Sequence, residues 1–278
     1  MKTNQMPNEY KELDVVYHYT KLSTSLEMIL HKGELRLTPR KNTTDPFENN
    51  KPFISIGAVG YYDDLVKLDS NKGLKTKQII VEKYNSIRQI SFCLNDKSHL
   101  NKIPIENHCG SGPYEYYGCI KPRMWDQYGD SYKGICLAFS LNQIIENLKK
   151  NNIKIIKGKI KYMKNSYIEK FDYGIDENEL DNSEISAYIN KYFERVEKRF
   201  FTKHHDYKDE NELRLFTYSE NQFVPFDISN CLVGIIYCKN FVPNVYLKLL
   251  ETYAQTYFSN LTRISFGNNG IRIENTKY

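Results

Sequence analysis

Hydrophobic positions switch between two periods along the chain. Val15 to Tyr19 is a short β-type run, after which Leu22, Leu26, Ile29 and Leu30 recur at helical spacing, with Thr24 and Glu27 placed as a capping box and Gly33 as a C-cap. Leu35 and Leu37 then alternate with polar residues up to Pro39, so strand, helix and strand follow in turn. A helix is expected near Lys75 to Arg88 and a strand at Ile90 to Leu94. Residues 95–122 form a long loop containing Gly, Pro and His, and long loops in compact domains often carry function. Arg123 to Tyr128 reads as a helix and Gly134 to Phe139 as a strand. A lysine-rich strand, Ile153 to Tyr162, and an acidic loop over 172–184 come next. Ile185, Tyr188, Ile189, Tyr192, Phe193, Val196 and Phe200 mark the apolar face of an amphipathic helix. Strands at Leu213 to Tyr218 and Leu232 to Tyr237, a helix opened by Pro243, and a closing strand at Arg263 to Phe266 complete the pattern.

Strands and helices intermix without a βαβ rhythm, and no Gly-rich fingerprint follows a strand. The pattern therefore predicts an α+β fold: a single domain over 15–278 with a mixed or mainly antiparallel sheet flanked by helices, preceded by an N-terminal extension over 1–14. Walker A, His-Glu-x-x-His, Gly-x-Ser-x-Gly and EF-hand signatures are missing. With 278 residues, 40% of them hydrophobic, the chain buries a core without disulfides. Its longest apolar run, Cys231 to Cys238, is far short of the roughly 20 residues of a membrane span. Residues 1–14 carry no apolar signal segment, so a cytoplasmic location without a membrane partner is expected. The six cysteines lack zinc-knuckle or redox spacing and read as reduced buried thiols, with no metal expected. A net charge of +5 is compatible with an anionic ligand but does not require nucleic acid.

Five constellations carry candidate chemistry. In Tyr17-His18-Tyr19-Thr20, His18 and Thr20 share one strand face, either converging on a ligand or serving as a satisfied histidine and a helix cap. Asp45-Pro46-Phe47-Glu48 sets two carboxylates around a stiffened turn, suited to a cation or, more simply, to an Asx-turn. Arg123-Met124-Trp125-Asp126-Gln127-Tyr128 offers a guanidinium fork for phosphate and two aromatic rings one helical turn apart, or plain core packing. In the segment from Lys203 to Arg214, alternation places Glu210, Glu212 and Arg214 on one face. That face is a poised carboxylate beside a cation if it lines a cleft, and a surface salt bridge if it meets solvent. His204 and His205 are adjacent and point apart, a poor metal pair. Finally, Lys149, Lys150, Lys154, Lys157, Lys159, Lys161 and Lys164 run without an intervening acid. They could follow a phosphate backbone or protect a solvated sheet edge.

Tyr17-His18-Tyr19-Thr20, the helix ending near Gly33, Asp45-Pro46-Phe47-Glu48, Met124-Trp125-x-x-Tyr128 leading to Gly134-Ile135-Cys136-Leu137-Ala138-Phe139, and Lys203 with Glu210-x-Glu212-x-Arg214 together resemble the bacterial family of domain of unknown function 2971. The likeness covers roughly residues 15–220. The layout also resembles ADP-ribosyltransferases, including toxins that modify nucleic acid. That likeness implies NAD as substrate, cleaved at the nicotinamide–ribose bond, in a toxin or phage-defence effector with a nucleic-acid or protein acceptor. By the same resemblance His18, with Tyr19 and Thr20, would hold NAD, and Glu212 or Glu210, together with His18, would be catalytic. Arg123 would bind pyrophosphate, Trp125 or Tyr128 would stack on nicotinamide, and Arg214 would complete the site. The second-strand Tyr of the His-Tyr-Glu subgroup has no counterpart in Glu34 to Pro39. Two other classes remain open: a nucleic-acid-binding or sensor module built on the lysine strand, and a metal-dependent nuclease drawing on Asp45, Glu48, Glu212 and a nearby Lys.

Overall fold

The alternation at Val15 to Tyr19 produces a strand buried on both faces. Val16 joins one apolar cluster, while Val15, Tyr17 and Tyr19 join another on the opposite side. The computed structural model describes every residue except 1, 4–5, 12–13, 44–53, 55, 58–70, 103–113, 165–173 and 269. In chain order its first strands are β1 (Lys2–Thr3), β2 (Val15–Thr20), β3 (Glu34–Pro39), β4 (Ile56–Gly57) and β5 (Ile87–Leu94). Next come β6 (Ile135–Ser140), β7 (Ile156–Lys159), β8 (Lys161–Met163), β9 (Ile175–Asp176) and β10 (Thr202–His204). The last five are β11 (Glu212–Tyr218), β12 (Val224–Asp227), β13 (Leu232–Cys238), β14 (Asn260–Gly267) and β15 (Gly270–Lys277).

Eleven of these strands form one sheet, ordered β1-β15-β14-β13-β6-β2-β5-β11-β7, with β12 and β3 as a branch that joins at β5. Among the described residues of this sheet only β13 and β14 pair in parallel. The protein is α+β, with a mostly antiparallel open sheet flanked by helices, as the intermixed pattern predicts.

The sheet forks along β5. One edge of β5 is fully paired, Cys93 back to Ile87 lying opposite Glu212 to Tyr218 of β11. The other edge is shared. β2 meets it only at Val16 with Leu94 and Tyr17 with Cys93, and β3 only at Thr38 with Gln89 and Pro39 with Arg88. Between those contacts, beside Ile90, Ser91 and Phe92, the two strands part. His18 stands at this gap, its Nδ1–H donating to the Ser91 carbonyl at 3.2 Å, where a strand partner would otherwise bond.

The helix at Ile185–Phe200 matches its predicted span and packs Tyr188, Tyr192, Phe193, Val196 and Phe200 into a third apolar cluster. Other elements differ from expectation. Thr24–Leu30 is wound wider than an α-helix, the His31 N–H reaching back five residues to the Leu26 carbonyl at 3.2 Å, and no side chain caps its start. The expected capping box therefore does not form, although Gly33 takes the left-handed φ of +67° that ends the segment. The basic strand divides into β7 and β8 at Ile160, which is buried and donates its N–H to the Glu212 carbonyl at 2.9 Å. The acidic stretch holds β9 and a short helix, Glu177–Asp181, capped by Asp176. The expected last strand is half of a hairpin completed by β15.

Residues read as an extension also enter the structure. β1 pairs with β15, and the short helix Asn8–Lys11 buries Tyr10 completely, its hydroxyl 3.1 Å from Thr262 Oγ1 and its ring edge-on to Tyr17. Cys93, Cys119, Cys136, Cys231 and Cys238 are free and buried. Burial pushes the thiols of Cys93, Cys231 and Cys238 up to about 12 and raises those of Cys119 and Cys136 as well.

Candidate functional site

β11 begins at a fixed point. Asn211, the residue before it, adopts a left-handed φ of 44°, a conformation Asn tolerates, and its side-chain amide donates to the Leu94 and Asn95 carbonyls at 3.1 Å each. Glu212 follows with its backbone clamped between β7 and β8: its carbonyl accepts from Ile160, and its N–H donates to Tyr162 Oη at 2.9 Å.

The Glu212 side chain is held as firmly. Arg214 donates to Oε1 from Nε at 2.9 Å and from Nη2 at 2.7 Å, and Ser91 Oγ donates to the same oxygen at 2.5 Å. Lys203 Nζ lies 2.9 Å from Glu212 Oε2 and 2.8 Å from Glu210 Oε2. Tyr128 donates its hydroxyl to Glu210 Oε1 at 3.1 Å. Arg214, at 1% exposure, is anchored in turn by the Phe200 carbonyl at 2.7 Å. Two carboxylates and two cations are thus buried together, an arrangement stable only because each charge has close partners.

These partners set the charge states. Burial disfavours the Glu212 carboxylate, but Arg214 and Lys203, helped by the Ser91 hydroxyl, outweigh it and hold the group at about 2. Glu210 goes the other way: burial raises it, and Lys203 offsets only part of that. Burial lowers His18, against its bond to Ser91, so its ring is neutral at pH 7. The two glutamates therefore have opposite pH effects. The lowered Glu212 contributes stability that is present above the ordinary carboxylate range and lost as pH falls toward 2, whereas the raised Glu210 favours folding on its protonated side. We expect the stability advantage of wild type over Glu212→Gln to shrink steadily between pH 4.5 and pH 3 in chemical denaturation. A constant difference would remove the ion pair as its source.

A cleft of about 580 Å³ opens at the fork. Lys203, Glu210, Glu212, Arg214 and Tyr128 line it together with His18, Tyr19, Ile29, Leu35 and Phe92. At the β3 end, Arg36 lies over the Phe223 ring at 5.7 Å. The structure thus brings His18, Tyr19, Tyr128, Glu210, Glu212 and Arg214 to one cavity. It leaves out three residues expected there. Thr20 is buried in β2, paired with Ile135. Arg123 is exposed, with Nη1 donating to the Asp206 carbonyl and the guanidinium 5.0 Å over Tyr207. Trp125 is fully buried, its indole N–H donating to the Cys119 carbonyl at 2.9 Å, so it has no free face for nicotinamide. Asp45 and Glu48 lie outside the described residues. Among the described residues no group of three or more His, Cys, Asp or Glu is placed to hold a metal ion.

Lys203, Ser91 and Tyr162 had no assigned role at the level of sequence. Their signal was faint: charged residues at positions 212 and 214 within an otherwise apolar strand require buried partners, but nothing local names them.

These features define an α+β protein whose sheet forks around a cleft floored by a buried ion-pair network. A family model described as protein of unknown function (DUF2971) matches residues 124–215, so about a third of the chain, including Tyr128, Lys203, Glu210, Glu212 and Arg214, is similar to that family. Comparison with curated proteins and with solved structures gives no match. Among the described residues no helix is long and apolar enough to cross a membrane.

Proposed function

We propose that the protein cleaves NAD at the nicotinamide–ribose bond, as an ADP-ribosyl transferase or glycohydrolase. The reading rests on one observation: His18 and Glu212, 194 positions apart in the numbering, line the same cleft where the sheet forks. Breaking this glycosidic bond develops positive charge on the ribose, and a carboxylate held ionised in a fixed position stabilises that charge without reorganising. Glu212 has that character, since Arg214, Lys203 and Ser91 fix both its charge and its direction. His18, neutral and bonded through Nδ1, leaves Nε2 available to accept from a ribose hydroxyl. Tyr128 and the apolar wall of Ile29, Leu35 and Phe92 enclose the rings. Glu210 and Glu212, paired with Lys203 and Arg214, leave little net negative charge for a divalent ion between them.

The test is nicotinamide release from NAD, alone and with DNA, RNA or protein acceptors. We expect release by wild type, and a KM raised about tenfold with kcat less affected in His18→Ala, the loss of roughly one hydrogen bond. No release under any of these conditions would leave a binding module as the better description.

A further inference from the structure

The lysines at 149, 150, 154, 157, 159, 161 and 164 are all exposed, while Ile153, Ile155, Ile156, Ile160 and Tyr162 between them are wholly or partly buried. No described ion pair involves any of the seven, and no acid interrupts the segment. Their combined charge exceeds the +5 of the whole chain, so the remainder of the protein is net negative. This is a local positive surface on a mildly acidic body. Guarding a sheet edge against pairing takes only one or two such charges, and β7 is four residues long.

The surface lies at the end of the sheet, one strand from the ion-pair network. β7 is the terminal strand beside β11, and Lys159 and Lys157, opposite Leu213 and Leu215, share their face of the sheet, the reverse of the face that carries Glu212 and Arg214. Ile160 and Tyr162, which grip the Glu212 backbone, alternate in sequence with Lys159 and Lys161. We propose that this lysine row binds the phosphate backbone of a single-stranded nucleic acid, which passes round the terminal strand to reach the cleft as the acceptor. A single strand is required because a base within a duplex is stacked and paired and cannot enter a side cavity without being extruded. The acceptor role rests on the NAD-cleaving reading; the binding does not. In the transfer, the ribose C1′–N bond breaks, nicotinamide leaves with the electron pair, C1′ bonds to a nucleic-acid oxygen or nitrogen, and that atom's proton passes to solvent.

The experiment measures binding of a fluorescein-labelled 20-nucleotide oligo(dT) to the full chain between 50 and 200 mM salt. If four or five lysines meet phosphates, log affinity should fall against log salt with a slope of about −3. Changing Lys154, Lys157 and Lys159 together to Glu should weaken binding at least 100-fold at the lowest salt while leaving acceptor-free nicotinamide release and the thermal midpoint unchanged. The same charge change at exposed Lys32, Lys239 and Lys248 should do little. Should the triple variant fold poorly, Lys157→Gln alone is expected to reduce the slope by about 0.7. Absent or salt-insensitive binding, equal losses from the control variant, tighter binding of a 20-base-pair duplex, or binding only to phosphatidylserine vesicles would each overturn the proposal. Lysine-dependent oligonucleotide binding without nicotinamide release would refute the NAD reading alone. Nicotinamide release in a protein that ignores the oligonucleotide would refute the nucleic-acid surface alone.

Discussion

Glu212→Gln is expected to lower nicotinamide release by roughly 10²–10³-fold, the scale seen when one preorganised electrostatic group is removed from an active site. The near-isosteric amide fills the same volume but carries no charge to oppose that developing on the ribose. It also disturbs the fold, because Arg214 and Lys203 lose the carboxylate they surround. Unbalancing a buried pair in this way costs about 3–5 kcal/mol. The thermal midpoint must therefore be read beside the rate. Ser91→Ala separates the two effects: it removes the 2.5 Å bond to Oε1 but keeps every charge. Its turnover should drop about tenfold with the fold intact, the cost of roughly one hydrogen bond to a charged group. If Glu212→Gln remains folded and turns over NAD like wild type, Glu212 has no part in the chemistry.

The second large effect concerns the N-terminal residues. Tyr10→Ala should destabilise the protein by about 3–5 kcal/mol, the usual range for truncating a fully buried aromatic side chain and a large part of a typical domain's net stability. The ring fills the space over Gly234, whose missing Cβ would fall 1.8 Å from Tyr10 Oη, so neighbouring strands cannot simply close the void. Tyr10→Phe, which removes only the hydroxyl bonded to Thr262, should cost about 1 kcal/mol. Urea denaturation of both variants measures the contrast. Equal and small losses would mean that this segment detaches readily from the sheet.

What the sequence made legible follows physical lines. The helix at Ile185–Phe200 was readable because its apolar positions recur with one period over four turns, a pattern no strand imitates. The first strand was readable from alternation, and three residues of its Tyr17-His18-Tyr19-Thr20 motif, Tyr17, His18 and Tyr19, line the cleft. Glu210, Glu212 and Arg214 lie close together in the chain, and their alternation already suggested a shared face. It did not reveal that Glu210 reaches that face from a tight turn rather than from the strand. The fork itself was invisible, since it depends on where β2 and β3 stop pairing with a third strand far along the chain. Trp125 shows the converse limit: a ring used for packing and a ring used for stacking have the same helical spacing, and only burial separates them. Tyr10 was missed because a four-residue helix is too short to show a period.

The five buried thiols have a practical consequence. Maleimide and disulfide reagents act on thiolates, and at neutral pH these side chains are both inaccessible and protonated. Their rate of labelling under denaturant therefore clocks how often the native state opens, giving an unfolding reporter already built into the chain.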